Sequence, residues 1–324
     1  GMDQPLPEGN WPLIAASDVP WSAGNAAPRP MTRADMDEVR DQFVAAARMA
    51  VEAGFDMIEL HAAHGYLLSQ FLSPLTNRRT DRWGGSLENR ARLLIETVRA
   101  VRATVSPGFS VAVKLNSADF QRGGFDAADA KTVVELLNEL PVDLVELSGG
   151  SYEAPAMQGD ARDGRTLARE AYFLDFARDI AGVARMPVMV TGGIRRIGVV
   201  QHVLDSGVAI AGIGTALAIR PDLANAWRNG EDPRPEVAPI RWKSKALASL
   251  AAMAVVKFQL RRLSRGRAAK PNVSPVKALI FAQLRTASLT RKYRRWIASS
   301  AAAAMSHDGS PPADANARAV GMPR

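Results

Sequence analysis

From residue 55 onward the hydrophobic positions of this chain alternate between two periods. Short apolar runs at residues 55–60, 110–115, 144–147, 187–190 and 209–213 predict five strands. Between them apolar residues return at helical spacing over 87–105, 127–140, 166–183 and 196–205. A helix also precedes the first strand, over 36–53, with Phe43, Ala47, Ala50 and Val51 on one side and Gly54 closing it. Strand and helix in strict alternation argue an α/β fold with a parallel sheet and crossover helices. Residues 1–35 hold Pro, Gly, Asn and Trp without either period and read as one irregular loop. After Trp227 the run Asn229-Gly230-Glu231-Asp232-Pro233-Arg234-Pro235 is linker chemistry. Two further helices are expected at 243–263 and 276–297, broken by Gly266 and Pro271, and a disordered tail rich in Ala, Ser, Pro and Gly over 298–324. The domain reading is therefore 1–35 loop, 36–230 strand–helix domain, 231–297 basic helical extension and 298–324 tail.

The chemistry concentrates at the end of the first strand. His61-Ala62-Ala63-His64-Gly65-Tyr66 follows the run 55–60 directly and carries two of the four His in the chain. Two imidazoles three residues apart can converge on one ligand oxygen as donors, and a phenol two residues later can deliver a proton nearby. A satisfied histidine pair is the plainer alternative. A metal site lacks partners, because the chain has no Cys and no third His lies near.

The next segment carries a resemblance. Leu67-Leu68-Ser69-Gln70-Phe71-Leu72-Ser73-Pro74-Leu75-Thr76-Asn77-Arg78-Arg79-Thr80-Asp81-Arg82-Trp83-Gly84-Gly85-Ser86-Leu87-Glu88-Asn89-Arg90 resembles the long loop after the fourth strand of the old yellow enzymes, the FMN-dependent ene-reductases. The similarity extends more weakly from about Arg29 to Trp227. Within that stretch Ser86 is placed to cap a helix from Leu87. The resemblance implies a (β/α)8 barrel with FMN and with NADH or NADPH as electron donor. It implies that only strands four to eight of that barrel are present, the chain beginning in the loop after strand three, and hence that strands four and eight are open edges. Irregular cover on a deviant fold is the competing reading of residues 1–35.

By the same resemblance His61 and His64 bind the electron-withdrawing oxygen of an activated alkene, and Tyr66 protonates its α-carbon. Lys114, at the end of the second strand, stands where the family usually has an Arg beside the pyrimidine edge of the flavin. A buried cation there needs an anionic partner, unless the side chain snorkels to water. Thr191-Gly192-Gly193 and Gly214-Thr215 follow the last two strands, where barrels bind phosphate. Glycine also simply makes turns. The family usually shows Gly-Arg at Gly214-Thr215, so Arg195 or Arg196 would have to substitute. The turn Ser148-Gly149-Gly150-Ser151-Tyr152 is expected near the substrate mouth, with no role assigned to it, to Asn116-Ser117 or to Gln121–Gly124. Met2–Ile14 resembles the reductase half of flavin enzymes acting on aromatic acyl-CoA thioesters, which extends the substrate class to thioesters.

Charge and composition complete the picture. The absence of Cys excludes a disulfide framework and a Cys-held iron–sulfur cluster. No apolar run reaches about 18 residues and no signal peptide is visible, so a soluble, cytoplasmic protein is expected. The formal charge of +8 is unevenly placed: residues 241–300 hold 15 Lys/Arg and no Asp/Glu, which leaves 26 basic against 33 acidic residues elsewhere. That segment carries no nucleic-acid motif, and Leu247, Leu250, Met253, Val256, Phe258 and Leu260 favour docking on a protein over binding nucleic acid or an anionic surface. Association, as a homo-oligomer or with a separate N-terminal part, is the expected partner relation besides a small alkene. A non-catalytic partial barrel acting in association is the alternative function.

Overall fold

A computed structural model describes residues 11–151, 170–236 and 238–306. Its elements in chain order are β1 (Ile14–Ala15), β2 (Arg29–Pro30), α1 (Arg33–Glu52), β3 (Met57–Ala62), α2 (Leu67–Leu72), α3 (Leu87–Arg102), β4 (Ser110–Asn116), α4 (Ala127–Leu137) and β5 (Leu144–Ser148). They continue with α5 (Leu174–Ala181), β6 (Val188–Thr191), α6 (Ile197–Asp205), β7 (Ile210–Gly212), α7 (Thr215–Ile219), α8 (Leu223–Arg228), α9 (Lys245–Leu263) and α10 (Pro275–Ser306). The chain divides into two compact units near Arg234, with the short segment Ala218–Pro221 grouped with the second.

In the first unit β3-β4-β5-β6-β7 form one parallel sheet whose order follows the chain. Right-handed crossover helices between sequential strands produce that order. Alternation along the strands assigns the two faces. Ile58, Leu60 and Ala62, Val111, Val113 and Leu115, Val145 and Leu147, and Val188 and Val190 join the apolar core with α1, α3, α4 and α5. The intervening positions, Glu59 and His61, Lys114 and Asn116, Glu146 and Ser148, and Met189 and Thr191, face the other way. The five strands sit within two residues of the sequence expectation at each end.

Local sequence explains where the helices start. Thr32 and Asp35 form a reciprocal capping box that starts α1 at Arg33, three residues before the expected Met36. Ser86 accepts from the Asn89 N–H at 3.4 Å and starts α3, as expected.

Three expectations for the elements of the first unit need correction. Residues 1–35 are not a single loop, because Ile14–Ala15 and Arg29–Pro30 pair in parallel; the flanking Ala16 and Met31 are buried, but two-residue strands have no period to read. The loop expected from Leu67 begins as a helix, because Leu68, Phe71 and Leu72 bury together on one side. The helix expected over 166–183 is represented by α5 alone; residues 166–169 lie outside the described residues, and the chain turns at Ala171, whose N–H donates to the Gly192 carbonyl at 2.8 Å.

The second unit is built on the hairpin of α9 and α10. Ala254, Val255 and Ala278 are buried between them with Phe258, Val273, Leu279 and Ala282 against them. The Gln259 side chain clamps the connection, donating to the Lys270 carbonyl at 2.9 Å and accepting from its N–H at 2.7 Å. Gly266, at φ +65°, makes the turn after α9. α10 runs to Ser306, so residues 298–306 are helical where a disordered tail was expected. Residues 307–324 of that tail lie outside the described residues.

Candidate active site

The C-terminal ends of β3 to β7 form one rim, and the candidate residues stand on it. β3 ends at Ala62, and His64 and Gly65 follow at φ +61° and +78°. A non-glycine residue with positive φ is uncommon and has to be held there. The hold is the His64 N–H donating to Asn116 Oδ1 at 3.1 Å; Asn116 is itself buried and donates to Asp119 and the Gly150 carbonyl. This sharp turn brings the rings of the motif together. The centroids of His61 and His64 are 5.1 Å apart, edge to face, and those of His61 and Tyr66 are 5.0 Å apart. Tyr66 is half exposed and opens α2.

The surroundings shift both imidazoles toward the neutral form. Burial, helped by His61 and Lys114, pushes His64 down to about 4, and burial with Lys114 lowers His61 as well. Nε2 of His64 lies 2.8 Å from Ser148 Oγ. A hydroxyl proton donated to Nε2 leaves Nδ1 of a neutral His64 as its donor. Nδ1 of His61 is buried with no hydrogen-bond partner. A polar atom so placed carries a free-energy penalty until a ligand satisfies it.

Level with His61 lies a charged cluster that sequence reading found only in part. Parallel register sets His61, Lys114, Glu146 and Met189 level across four strands. Lys114 Nζ hydrogen-bonds Glu146 Oε1 and lies 3.7 Å from Glu59 Oε1. Thr191 donates to the same Glu146 oxygen at 2.6 Å. The anionic partner that a buried Lys114 requires is therefore present within the chain. Burial, then Glu146, pushes the Glu59 carboxyl up to about 7. Glu146 is held low despite its burial, by hydrogen bonds from Glu59, Lys114 and Thr191. Two carboxylates beside one ammonium favour one shared proton. Glu59 and Glu146 were signalled in the sequence as lone carboxylates inside apolar strands, but their meeting depends on register.

The glycines occupy the far side of the rim. A Cβ on Gly212 would lie 2.0 Å from Thr191 Oγ1, and one on Gly193, at φ +68°, would lie 2.5 Å from the Tyr172 ring. A side chain at Gly212 would force Thr191 and Met189 to move, and one at Gly193 would be strained by the left-handed backbone as well. Gly214, just before Thr215, has open space around it, and Gly192 packs on Phe173 and Tyr172. Arg195 and Arg196, the expected substitutes for a phosphate-binding Arg, both turn to Glu170. Their guanidinium Nε atoms lie 3.2 and 2.7 Å from its Oε1, and their backbone N–H groups donate to Oε2 at 3.0 and 3.2 Å. A buried carboxylate thus occupies the bare N–H groups at the start of α6, where a phosphate would otherwise be stabilised. Of the turn after β5, Ser151 accepts from Gln121 at 2.8 Å, and Tyr152 lies outside the described residues.

The donor set fits FMN in kind. Gly214 has open space in which a phosphate could be received, and Lys114, already paired with Glu146, is a cation on the same rim.

A family model described as the NADH:flavin oxidoreductase / NADH oxidase family matches residues 13–230. The chain is 40% identical over 203 residues to the NADH-dependent flavin oxidoreductase iliE of Neonectria sp. (strain DH2), covering 60% of this chain and 26% of that protein. Across the first three curated relatives the covered share of the relative runs from 26% to 54%, so the chain spans about half their length or less. Among solved structures, a 2-naphthoyl-CoA reductase in complex with 2-naphthoyl-CoA matches with a TM-score of 0.60 at 27% identity, over 67% of this chain and 33% of that one. The old yellow enzyme homologue from Zymomonas mobilis shares the fold, with a TM-score of 0.56 at 23% identity over 73% and 64% of the two chains. With its matched region reaching from β1 through α8, this chain belongs to the NADH:flavin oxidoreductase / NADH oxidase family.

Proposed function

We propose that this chain carries the alkene-handling half of an FMN-dependent NAD(P)H oxidoreductase, its five strands being strands four to eight of a (β/α)8 barrel. The observation that carries the reading is the convergence of two imidazoles and a phenol, with Nδ1 of His61 buried and unsatisfied. Such a pair of donors suits the carbonyl oxygen of an enone or of an enoyl or aromatic acyl thioester. The thioester option is supported by the likeness to the 2-naphthoyl-CoA reductase. When bound, FMN would supply two-electron, hydride-transfer chemistry between NADH or NADPH and the alkene.

The protein's part is orientation and proton supply. His61 Nδ1 and His64 Nδ1 donate to the substrate oxygen and stabilise the charge that grows on it. Neutrality matters, because a protonated imidazole would hand over its proton rather than only a hydrogen bond. Ser148 keeps the His64 ring and its tautomer in place. The Tyr66 hydroxyl delivers the proton to the α-carbon, and its half-exposed position lets solvent restore it. Lys114 would lie along the flavin edge, while Gly192, Gly193, Gly214 and Thr215 would hold the phosphate.

Rapid-mixing kinetics at saturating FMN, or on the chain joined to the first three strand–helix units of a relative, test this. Tyr66→Phe is expected to slow the oxidative half-reaction with an enone by about a hundredfold or more, leaving flavin reduction by NAD(P)H nearly intact. His61→Ala and His64→Ala are expected to weaken binding of phenolic or enone ligands. Equal slowing of both half-reactions by Tyr66→Phe would make Tyr66 a packing residue.

A further inference from the structure

The last turns of α10 are amphipathic in an unusual way. Leu289, Tyr293, Trp296 and Ile297 recur at i, i+4, i+7 and i+8, on one face of the helix. All four are exposed, between 44% and 55%, and Tyr293 and Trp296 stack with centroids 5.9 Å apart. Arg291 and Arg295 take the opposite face, Lys292 and Arg294 flank the apolar stripe beside Trp296 (i, i+4) and Ile297 (i, i+3), and all four are exposed. Among the described residues none of these four forms an ion pair; Arg291 reaches only the Ala287 carbonyl of its own helix, at 3.3 Å. No acidic residue lies anywhere between 241 and 300 to balance the 15 cations there. The crowding is felt inside the hairpin, where burial and the neighbouring Arg285 and Arg265 lower the guanidinium of Arg261.

We propose that the 289–297 face of α10 is a peripheral docking surface for an anionic lipid bilayer. The chemistry of each part fits that partner. A ring of leucine, isoleucine, tyrosine and tryptophan enters the headgroup boundary, with the two amphipathic rings at the level they favour. Lys292 and Arg294 beside that stripe reach the phosphates directly by snorkelling, and Arg291 and Arg295 add to the attraction of the anionic surface. A nucleic acid would use the cations and leave the apolar face in water. An acidic protein would have to set carboxylates around an apolar stripe of only four residues, an arrangement that the headgroup boundary of an anionic bilayer provides along any line. The contact is peripheral, because among the described residues no helix is long and apolar enough to cross a membrane.

Co-sedimentation of the full chain with vesicles decides the matter, against a control spun without lipid. The vesicles are phosphatidylcholine alone, or two parts phosphatidylcholine to one part phosphatidylglycerol. Binding is expected with phosphatidylglycerol, at least about tenfold tighter than without it, and is expected to fall on adding salt on the order of 1 M. Replacing the four cations by glutamine (Arg291→Gln, Lys292→Gln, Arg294→Gln, Arg295→Gln) is expected to weaken it at least about tenfold, with helical circular dichroism retained because none of them is buried. Brominated lipid is expected to quench fluorescence in the natural chain and not in Trp296→Phe, which separates Trp296 from the other five tryptophans. The proposal is overturned by no vesicle binding, by equal binding to both vesicle types, or by binding that survives the four glutamines. Capture by an RNA or DNA duplex in the absence of vesicle binding would likewise overturn it, in favour of nucleic acid.

Discussion

Lys114 illustrates how one side chain sets the electrostatics of a site. It is 19% exposed and touches Glu146, which is 7% exposed. Breaking a buried pair by removing one member leaves the other charge without compensation, whereas removing both is far milder. Lys114→Met is therefore expected to lower stability by about 3 kcal/mol, and the double change Lys114→Met with Glu146→Leu is expected to recover most of it. Urea unfolding of the three chains at pH 7 checks this. Two neighbouring groups give opposite pH slopes. Glu59 is raised from its ordinary 4.5 to about 7, so between those values the folded chain holds a proton that the unfolded chain has lost. Stability therefore falls as pH rises through that window, and Glu59→Gln should flatten the fall. His64 is lowered from 6.5 to about 4, so below pH 6.5 the unfolded chain takes up a proton that the folded chain refuses. Stability falls as pH drops from 6.5 towards 4, and His64→Gln should remove that loss. Chemical denaturation at a series of pH values, comparing each variant with the natural chain, distinguishes the two slopes.

At the scale of the element, the segment that identifies the family turns out to be built for anchoring. Asn77 is buried and donates to the carbonyls of Phe71 and Trp83 at 2.7 and 2.8 Å. Arg79 reaches the carbonyls of Ala16 and Met31 at 3.1 and 2.9 Å, tying the loop to the small β1–β2 pair. Arg90 is buried and donates to the Leu72 carbonyl from α3. Trp83 lies under three guanidinium groups, of Arg33, Arg82 and Arg92, at 5.2 to 6.0 Å. The loop's irregular backbone is satisfied by these side chains, and that holds α2 and the preceding histidine turn in place. A Cβ on Gly84 would lie 2.3 Å from the Arg79 carbonyl oxygen. Gly84→Ala is expected to cost about 2 kcal/mol through that clash, and Asn77→Ala a similar amount by leaving two carbonyls unpaired. Thermal unfolding measures both. A loss confined to ligand binding, with unchanged stability, would contradict the anchoring role.

For the whole molecule, the decisive feature is that the sheet has two ends. Among the described residues β3 pairs only with β4, and β7 only with β6. Phe55, Met57 and Ile210 stand exposed beside those edges, at 63%, 43% and 42%. Unpaired parallel edges with apolar neighbours are templates for further pairing. Light scattering is expected to show association that grows with concentration, and co-expression with the first three strand–helix units of a relative is expected to suppress it. Flavin fluorescence titration should show weak FMN binding by this chain, because the proposed barrel shares its isoalloxazine contacts between both halves. Adding the three units should make the protein purify yellow. Tight stoichiometric binding by this chain would mean that the barrel begins elsewhere than proposed.

The amino-acid order determined the local features through periodicity and chain chemistry. The five strands, the Ser86 cap, the break at Gly266 and the His61–Tyr66 motif after β3 could all be read because each depends on neighbours a few residues apart. Two-residue β1 and β2 and the short α2 escaped because nothing so brief repeats. What only the tertiary structure decided rests on register between distant strands. Glu59, Lys114, Glu146 and Thr191 lie on four strands and have no common motif, yet parallel pairing sets them against one another. In the same way Glu170 captures Arg195 and Arg196, which the sequence left available for a phosphate. Periodicity reports which face a residue takes. A buried charge, however, is defined by what stands opposite, and that is settled only when the strands align.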